Sequence, residues 1–196
     1  TSFLPRPGAL FSTLNAGTDL ARDIQTGFLN RLSLTPLRGS ALLAGHLTGV
    51  VVLGVAQAVF YISVGLAAGA GFAAGPAGIP VLLAFAALVS LGFGALGSFF
   101  ALRSGSGETV QALFPVFFVF LFISSMNAPR DLMAVDWFRA LATLNPVSYL
   151  LELVRSLIIT GWDARALALG LGVAVAIAAV ALALASRELS RRMTRT

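Results

Sequence analysis

The chain is a succession of long apolar runs broken by short polar stretches, and those runs set the order of its elements. Residues 40–68, 79–102, 109–126 and 164–186 are almost free of charge. They are read as four spans, because a helix of about 20 apolar residues crosses the hydrocarbon core of a bilayer. Periodicity alone leaves the third run, crowded with phenylalanine, open to a buried strand. A lone strand would leave its backbone groups unpaired in lipid, so a helix is required, with Pro115 near its start as a bend point. Gly69 to Gly78 is uncharged and rich in Gly, Ala and Pro, and reads as a turn. The next loop, SGSGE, places Ser106 to cap a helix beginning near Glu108. Gly45/Gly49 and Gly65/Gly69 form small-xxx-small pairs, a spacing that lets another helix approach closely but that is common in glycine-rich membrane chains.

Two regions break this rhythm. The first starts with residues 8–21, an apolar stretch too short for a full crossing and read as part of a span. The segment from Arg22 to Arg38 follows, with Ile24, Phe28 and Leu32 recurring at helical spacing beside Leu29, and with Asp23, Thr26, Asn30, Arg31 and Ser33 on the other side. Asp23 favours the start of such a helix, and Thr35-Pro36 ends it, since the residue before proline is pushed out of the helical region. The pattern fits either an interfacial connector or a docking surface for a cytosolic partner. The second region is 129–160. Asn127-Ala128-Pro129 stops the preceding helix, and Arg130, Asp131, Asp136, Arg139, Glu152 and Arg155 then alternate with Trp137, Phe138 and Tyr149. Pro146 breaks the region again, and Val147 to Thr160 is apolar but shorter than a span, the length of an interfacial or re-entrant segment. Trp137, Tyr149 and Trp162 suit an aromatic belt at the membrane boundary. Glu152 and Arg155, three apart on a helix, are expected to pair.

Composition fixes the solvent. The 196 residues are 58% hydrophobic and 11% charged, against about 25% charged in a soluble domain. All 13 basic residues are arginine, so the lysine that a phosphate-binding loop needs is missing. The chain has no cysteine and one histidine, which excludes disulfides, thiol nucleophiles and the usual zinc sites. His46, near the start of a span, reads as a satisfied interfacial group and not as a base. The net charge of +5 comes from arginines at the ends of apolar runs and is read as topology, not as a nucleic-acid surface. With the segment 22–38, the Arg103 loop and the C-terminal tail in the cytoplasm, that side holds Arg22, Arg31, Arg38, Arg103, Arg187, Arg191, Arg192 and Arg195. The arginines opposite are nearly balanced by Asp131, Asp136, Glu152 and Asp163, so the positive-inside rule favours a cytoplasmic C-terminus.

Chemistry is sparse. No apolar run holds the paired carboxylates of an ion-driven carrier, and a single histidine without a GxSxG elbow gives no support to a serine hydrolase. Phe114, Phe117 and Phe118 are candidates for a substrate path, against the commoner role of phenylalanine in lipid contact or helix packing. Asn145, Tyr149 and Arg155 are read first as a cap, an anchor and an ion-pair partner.

Two stretches resemble the permease subunits of ABC-2 type transporters, the family of daunorubicin-resistance and NodJ-like export proteins. One is Asp23-x3-Gly27-Phe28-Leu29-x-Arg31-Leu32-x2-Thr35-Pro36-x-Arg38, similar to the family's acidic-Gly-x-Leu-x-x-Leu-x-x-(Thr/Ser)-Pro-x-x-Arg element. The other is Asn145-Pro146-Val147-Ser148-Tyr149-x5-Arg155, similar to its Pro-x-x-Tyr-x5-Arg element before the last span.

The resemblance implies an all-α, polytopic bundle forming one transmembrane domain over residues 1–196. It would have a cytosolic coupling helix at 23–36 that docks an ATPase, and an extracytoplasmic re-entrant hairpin at 129–160 before the last span. By the family template the chain begins late in the second span, without the first. Asp23, Gly27, Phe28, Leu29, Arg31, Leu32, Thr35, Pro36 and Arg38 would then form the docking surface, and Asn145, Pro146, Tyr149, Glu152 and Arg155 the gate region. The implied protein is a multi-pass permease of the inner or plasma membrane, not itself an enzyme, exporting a drug, lipid or other hydrophobic substrate. It would work as a homo- or heterodimer with a second permease copy and bind no cofactor of its own, ATP and magnesium being used by the separate ATPase subunit. A polysaccharide or glycolipid exporter of the same type, and a membrane scaffold that transports nothing, are the alternative readings.

Overall fold

The computed structural model describes residues 39–126, 130 and 134–193, and every regular element among them is helical. The partial span 8–21 and the whole amphipathic segment Arg22–Arg38 lie outside the described residues, as do Asn127-Ala128-Pro129 and Asp131. In chain order the helices are α1 (Gly39–Ala67), α2 (Gly78–Ser104), α3 (Gly107–Ala112), α4 (Phe114–Phe122), α5 (Asp136–Leu144), α6 (Pro146–Arg155) and α7 (Ala164–Met193). Three of them, α1, α2 and α7, are long and apolar enough to cross a membrane, as expected of a polytopic membrane bundle. The 30 residues of α7 rise about 45 Å at 1.5 Å each, beyond a hydrocarbon core of about 30 Å. Its C-terminal turns, with Arg187, Arg191 and Arg192, therefore stand clear of the core.

The apolar run 109–126 takes a different form from an unbroken span. It is built as α3 and α4, joined at Leu113 with Pro115 in the first turn of α4. Proline has no N–H to give and its ring crowds the preceding turn, so it starts a helix well and continues one badly. Ser106 stands at the N-cap of α3 in an extended conformation, but its side chain makes no capping bond; instead its N–H donates to Ser104 Oγ at 3.2 Å. Gly105, at φ 68°, closes α2 by donating its N–H to the Ala101 carbonyl, a left-handed cap that an L side chain rarely adopts.

Helix α2 is central, packed against both α1 and α7, while α6 lies on α7. Lipid tails are as apolar as leucine, so these helices are held by close packing and not by expulsion from water. The α7 seam shows how. Gly170, Ala174, Ala178, Ala181 and Ala185 are its buried positions, spaced to form one stripe of a 3.6-residue helix. All five are small, so the backbones come close. A methyl on Gly92 of α2 would sit 3.3 Å from the Ala178 nitrogen, and one on Gly170 would sit 2.6 Å from Leu153 Cβ of α6. On the other side of α2, a methyl on Gly94 would meet Val50 at 2.8 Å, and one on Gly54 of α1 would overlap the Ser90 hydroxyl. The pairs singled out by spacing alone are not used in this way: a methyl on Gly45 or Gly49 would meet nothing within 4 Å.

Hydroxyls within the spans satisfy themselves locally. The fully buried Ser98 donates to the Gly94 carbonyl one turn back, and Thr48 and Ser63 do the same to Ala44 and Val59. An unpaired polar group in this setting would be expensive.

Candidate functional site

The polar chemistry of the described residues converges on α6, a ten-residue helix with two unlike faces. Leu150, Leu153 and Leu157 are buried in a cluster with Leu82 and Phe85 of α2 and Ala174 of α7. On the other side Asn145, Ser148, Tyr149, Glu152 and Arg155 follow one another at three- and four-residue spacing, a single stripe. This stripe grips the chain between Phe120 and Arg130.

Each contact has its own cause. Asn145 caps α6: its Oδ1 accepts from the Val147 N–H at 3.0 Å, and Pro146 follows at the first helical position, where its missing N–H costs nothing. The same side chain donates Nδ2–H to the Phe120 carbonyl of α4 at 2.5 Å. Ser148 Oγ accepts from the Ser125 N–H at 3.1 Å, and Ser125 Oγ donates to the Ser148 carbonyl at 3.2 Å, both residues being fully buried. Tyr149 donates its hydroxyl to the Thr143 carbonyl at 2.9 Å. That carbonyl lies in the last turn of α5, where helix carbonyls have no partner in the helix itself.

Glu152 is held from outside its own helix. Arg130 meets it with two hydrogen bonds, Nε to Oε1 at 2.6 Å and Nη2 to Oε2 at 2.5 Å. The same guanidinium lies over the Tyr149 ring, 4.3 Å from its centroid. The Glu152 hydrogen bonds raise the Arg130 pKa above its ordinary value, partial burial working against them, so the arginine stays charged. Arg155 turns the other way and donates Nη2–H to the carbonyls of Ser125 and Met126, at 2.6 and 3.2 Å. The expected pair within α6 is thus replaced. The planar fork of Arg130 fits both carboxylate oxygens at once, which a neighbour one turn away on the same helix matches poorly, and Arg155 is left to satisfy carbonyls at the end of the α4 segment.

A second clasp closes α6 at its far end. Residues Ser156–Thr160 widen into a π-helical turn that stops at Gly161, at φ 99°. The carbonyls of Leu157 and Ile158 accept from the N–H groups of Ala74 and Ala73 in the α1–α2 turn, at 3.0 and 3.1 Å. Trp162 donates its indole N–H to the Ala74 carbonyl at 3.1 Å. The ring itself is exposed, as is that of Trp137, in keeping with a boundary position for both.

Between α1, α2, α3, α4 and α6 lies a cavity of about 390 Å³ with Val50, Gln57, Phe93, Phe117, Leu121 and Val154 among its walls. Of the three phenylalanines singled out by sequence, Phe117 and Phe118 line it, Phe117 meeting Phe93 edge to face with ring centroids 5.7 Å apart; the side chain of Phe114 lies outside the described residues. Sequence reasoning passed over Gln57, Tyr61 and Ser90, the polar members of the wall. The available signal was Gln57, an amide in the middle of an otherwise apolar run, where a polar group needs a purpose. Among the described residues no cluster of histidine and acidic side chains could hold a metal ion.

A family model described as ABC-2 type transporter matches residues 8–159. No curated protein and no solved structure matches the chain.

Proposed function

The chain belongs to the ABC-2 type transporter family, whose membrane subunits are permeases and not enzymes, and from that premise we propose that it moves a hydrophobic substrate outward, driven by a separate cytosolic ATPase. The observation that carries the reading is that the match spans residues 8–159, and so includes both Asp23–Arg38 and Asn145–Arg155. In this reading Asp23 to Arg38 is the coupling helix. Phe28, Leu29 and Leu32 are its buried contacts with the ATPase, Asp23 and Gly27 shape its start, Thr35 and Pro36 its end, and Arg31 and Arg38 lie at the rim. The C-terminus is cytoplasmic, and a second permease copy completes the translocation unit.

Residues 129–160 act as the outward gate. Its described parts are short helices joined by hydrogen bonds and the Arg130–Glu152 ion pair, while the spans beside them are locked by close backbone approach. Closure of the ATPase around nucleotide would rock the spans, and the clasps on α6 are the contacts that can break and re-form at modest cost. The apolar cavity favours a hydrophobic cargo over a polysaccharide, whose hydroxyls would find few partners there.

The test is the double substitution Phe28→Ala, Arg31→Ala, followed by copurification of the ATPase and by substrate-stimulated ATP hydrolysis. Both are expected to fall by an order of magnitude or more, since the substitution removes an anchor and its charged neighbour together. Unchanged copurification and unchanged stimulation would overturn the docking role of this segment.

A further inference from the structure

The cavity described above does not end at its own walls. A second cavity of about 380 Å³ lies beyond it, under Phe72 and Ile158. The two share Ala58, Tyr61, Phe85, Ala86, Val89 and Val154, so they meet at a waist. On α1 the walls run from Val50 to Gly65, about 22 Å at 1.5 Å per residue. On α2 they run from Phe100 back to Leu82, about 27 Å by the same measure. The joined space is long and covers most of a hydrocarbon core of about 30 Å.

Its walls fit one kind of occupant. Among the described residues, Gln57, Tyr61 and Ser90 are the polar side chains lining the first cavity, Tyr61 is the one lining the second, and neither wall carries a charged residue. A charged or heavily hydroxylated group drawn inside would lose its water without gaining partners. Leu53, Tyr61 and Phe118 line the space and are also exposed, so it opens onto the side of the helices and not only at their ends. The far end reaches the α1–α2 turn, where Ala73 and Ala74 are tied to the π-helical turn after α6.

We propose that the joined cavities are a binding site for one long acyl chain, entered sideways from the bilayer and closed at the turn end by the clasp between Ala73–Ala74 and Leu157–Ile158. The head group of the amphiphile stays outside the walls. The site narrows the export reading above from hydrophobic substrates in general to chain-bearing ones, and it rests on that reading for the direction of movement. The chain has two sources, a resident membrane lipid or the exported molecule.

The experiment uses the full chain in phosphatidylcholine vesicles doped with a phosphatidylcholine whose palmitoyl chain carries a photoreactive diazirine, followed by digestion and mapping of labelled peptides. Label is expected on Phe85 to Val89 and on Val154. Ala86→Trp, placed at the waist, should cut that label at least fivefold and leave label near the lipid-facing Val180 of α7 unchanged. Ala58→Trp fills the waist from the opposite wall and should act alike, which guards against one variant simply misfolding. Label confined to positions such as Val180 in the unaltered protein, or label at the waist that neither tryptophan reduces, would overturn the site. Adding the ATPase subunit and ATP separates the sources: label lost on hydrolysis supports a cargo chain in the site, and label that persists supports a resident one. Labelling itself requires neither the ATPase nor ATP. Missing label with ATP-driven export intact therefore overturns the acyl-chain site alone, and label at the waist with no ATP-driven export of any chain-bearing probe overturns the export reading alone.

Discussion

Helices α6 and α7 run next to each other and are held by opposite means. α7 meets its neighbours through Gly170, Ala174, Ala178, Ala181 and Ala185, residues whose side chains carry no hydrogen-bonding group. α6 presents leucines to the same core but is clasped on its other face by Asn145, Ser148, Tyr149, Glu152 and Arg155. The difference follows from length. A helix that crosses the bilayer satisfies its own backbone and needs only a close-fitting partner. A helix of ten residues exposes end groups at membrane depth or near it, and polar side chains must answer them. A seam of close contacts has one good arrangement, because its atoms cannot approach further or separate without loss. A polar clasp has donors and acceptors that can exchange partners. The molecule thus sets a rigid element beside a releasable one, and the releasable one sits in the proposed gate.

The largest effect should come from the seam. Gly92→Leu and Gly170→Leu each force a side chain into space already filled by backbone or by Leu153. Overpacking of this kind costs about 1–3 kcal/mol and sometimes more, and these sites belong at the top of that range. Size-exclusion profiles and thermal unfolding in detergent should show loss of the folded form in both. A variant that folds normally with leucine at either site would mean that the seam is looser than its distances, and the contrast with α6 would collapse.

A smaller and more local effect is expected from the clasp. Glu152→Gln leaves the Arg130 guanidinium, 18% exposed in its side chain, with one charge-assisted bond fewer and no counter-charge. Hydrogen bonds to charged groups contribute about 1.5–3 kcal/mol, and partial exposure brings the expected loss to the lower end. The informative readout is where it appears. Hydrogen exchange should quicken in α6 and around Ser125, while α2 and α7 keep their protection. If all three helices open together, α6 is not a separately releasable unit. Arg130→Gln made alongside and combined with Glu152→Gln would give the coupling between the two side chains directly.

How much of this was legible in the sequence depends on the range over which each feature acts. The three long apolar helices were legible because lipid imposes a length and a composition on each one separately. The broken third run was half legible: Pro115 marked the place, but composition could not say that the helix would restart there. The cap at Asn145-Pro146 was legible because it is local. The partner of Glu152 was not, since Arg130 lies 22 positions away and a nearer arginine, Arg155, satisfied the same spacing rule. The seam of α7 was hidden for another reason. Alanine is so common in residues 164–186 that the buried alanines look no different from those facing lipid. The cavity needed several helices to be placed before it existed; Phe117 and Phe118 marked one wall of it in the sequence, and Gln57 was the polar mark on another.

Glycine spacing gives the smallest expected effect, and it tests the comparison from the other side. Gly45 and Gly49 satisfy the small-xxx-small rule on paper yet have open space where a methyl would go, whereas Gly92 and Gly170 are pressed against other helices. Alanine in a helix interior is favoured over glycine by about 1 kcal/mol through its lower backbone freedom in the unfolded chain. Gly45→Ala and Gly49→Ala should therefore leave the unfolding temperature of the isolated chain unchanged or slightly raised. The same change at Gly170 brings a methyl within 2.6 Å of Leu153 Cβ, and there the steric cost should exceed the gain and lower the temperature. The sign, opposite for one identical substitution, is what the packing predicts and the spacing rule does not. A loss of stability at Gly45 or Gly49 equal to that at Gly170 would show that their open face is packed within the isolated chain, and it would move the weight of the seam from α7 toward α1.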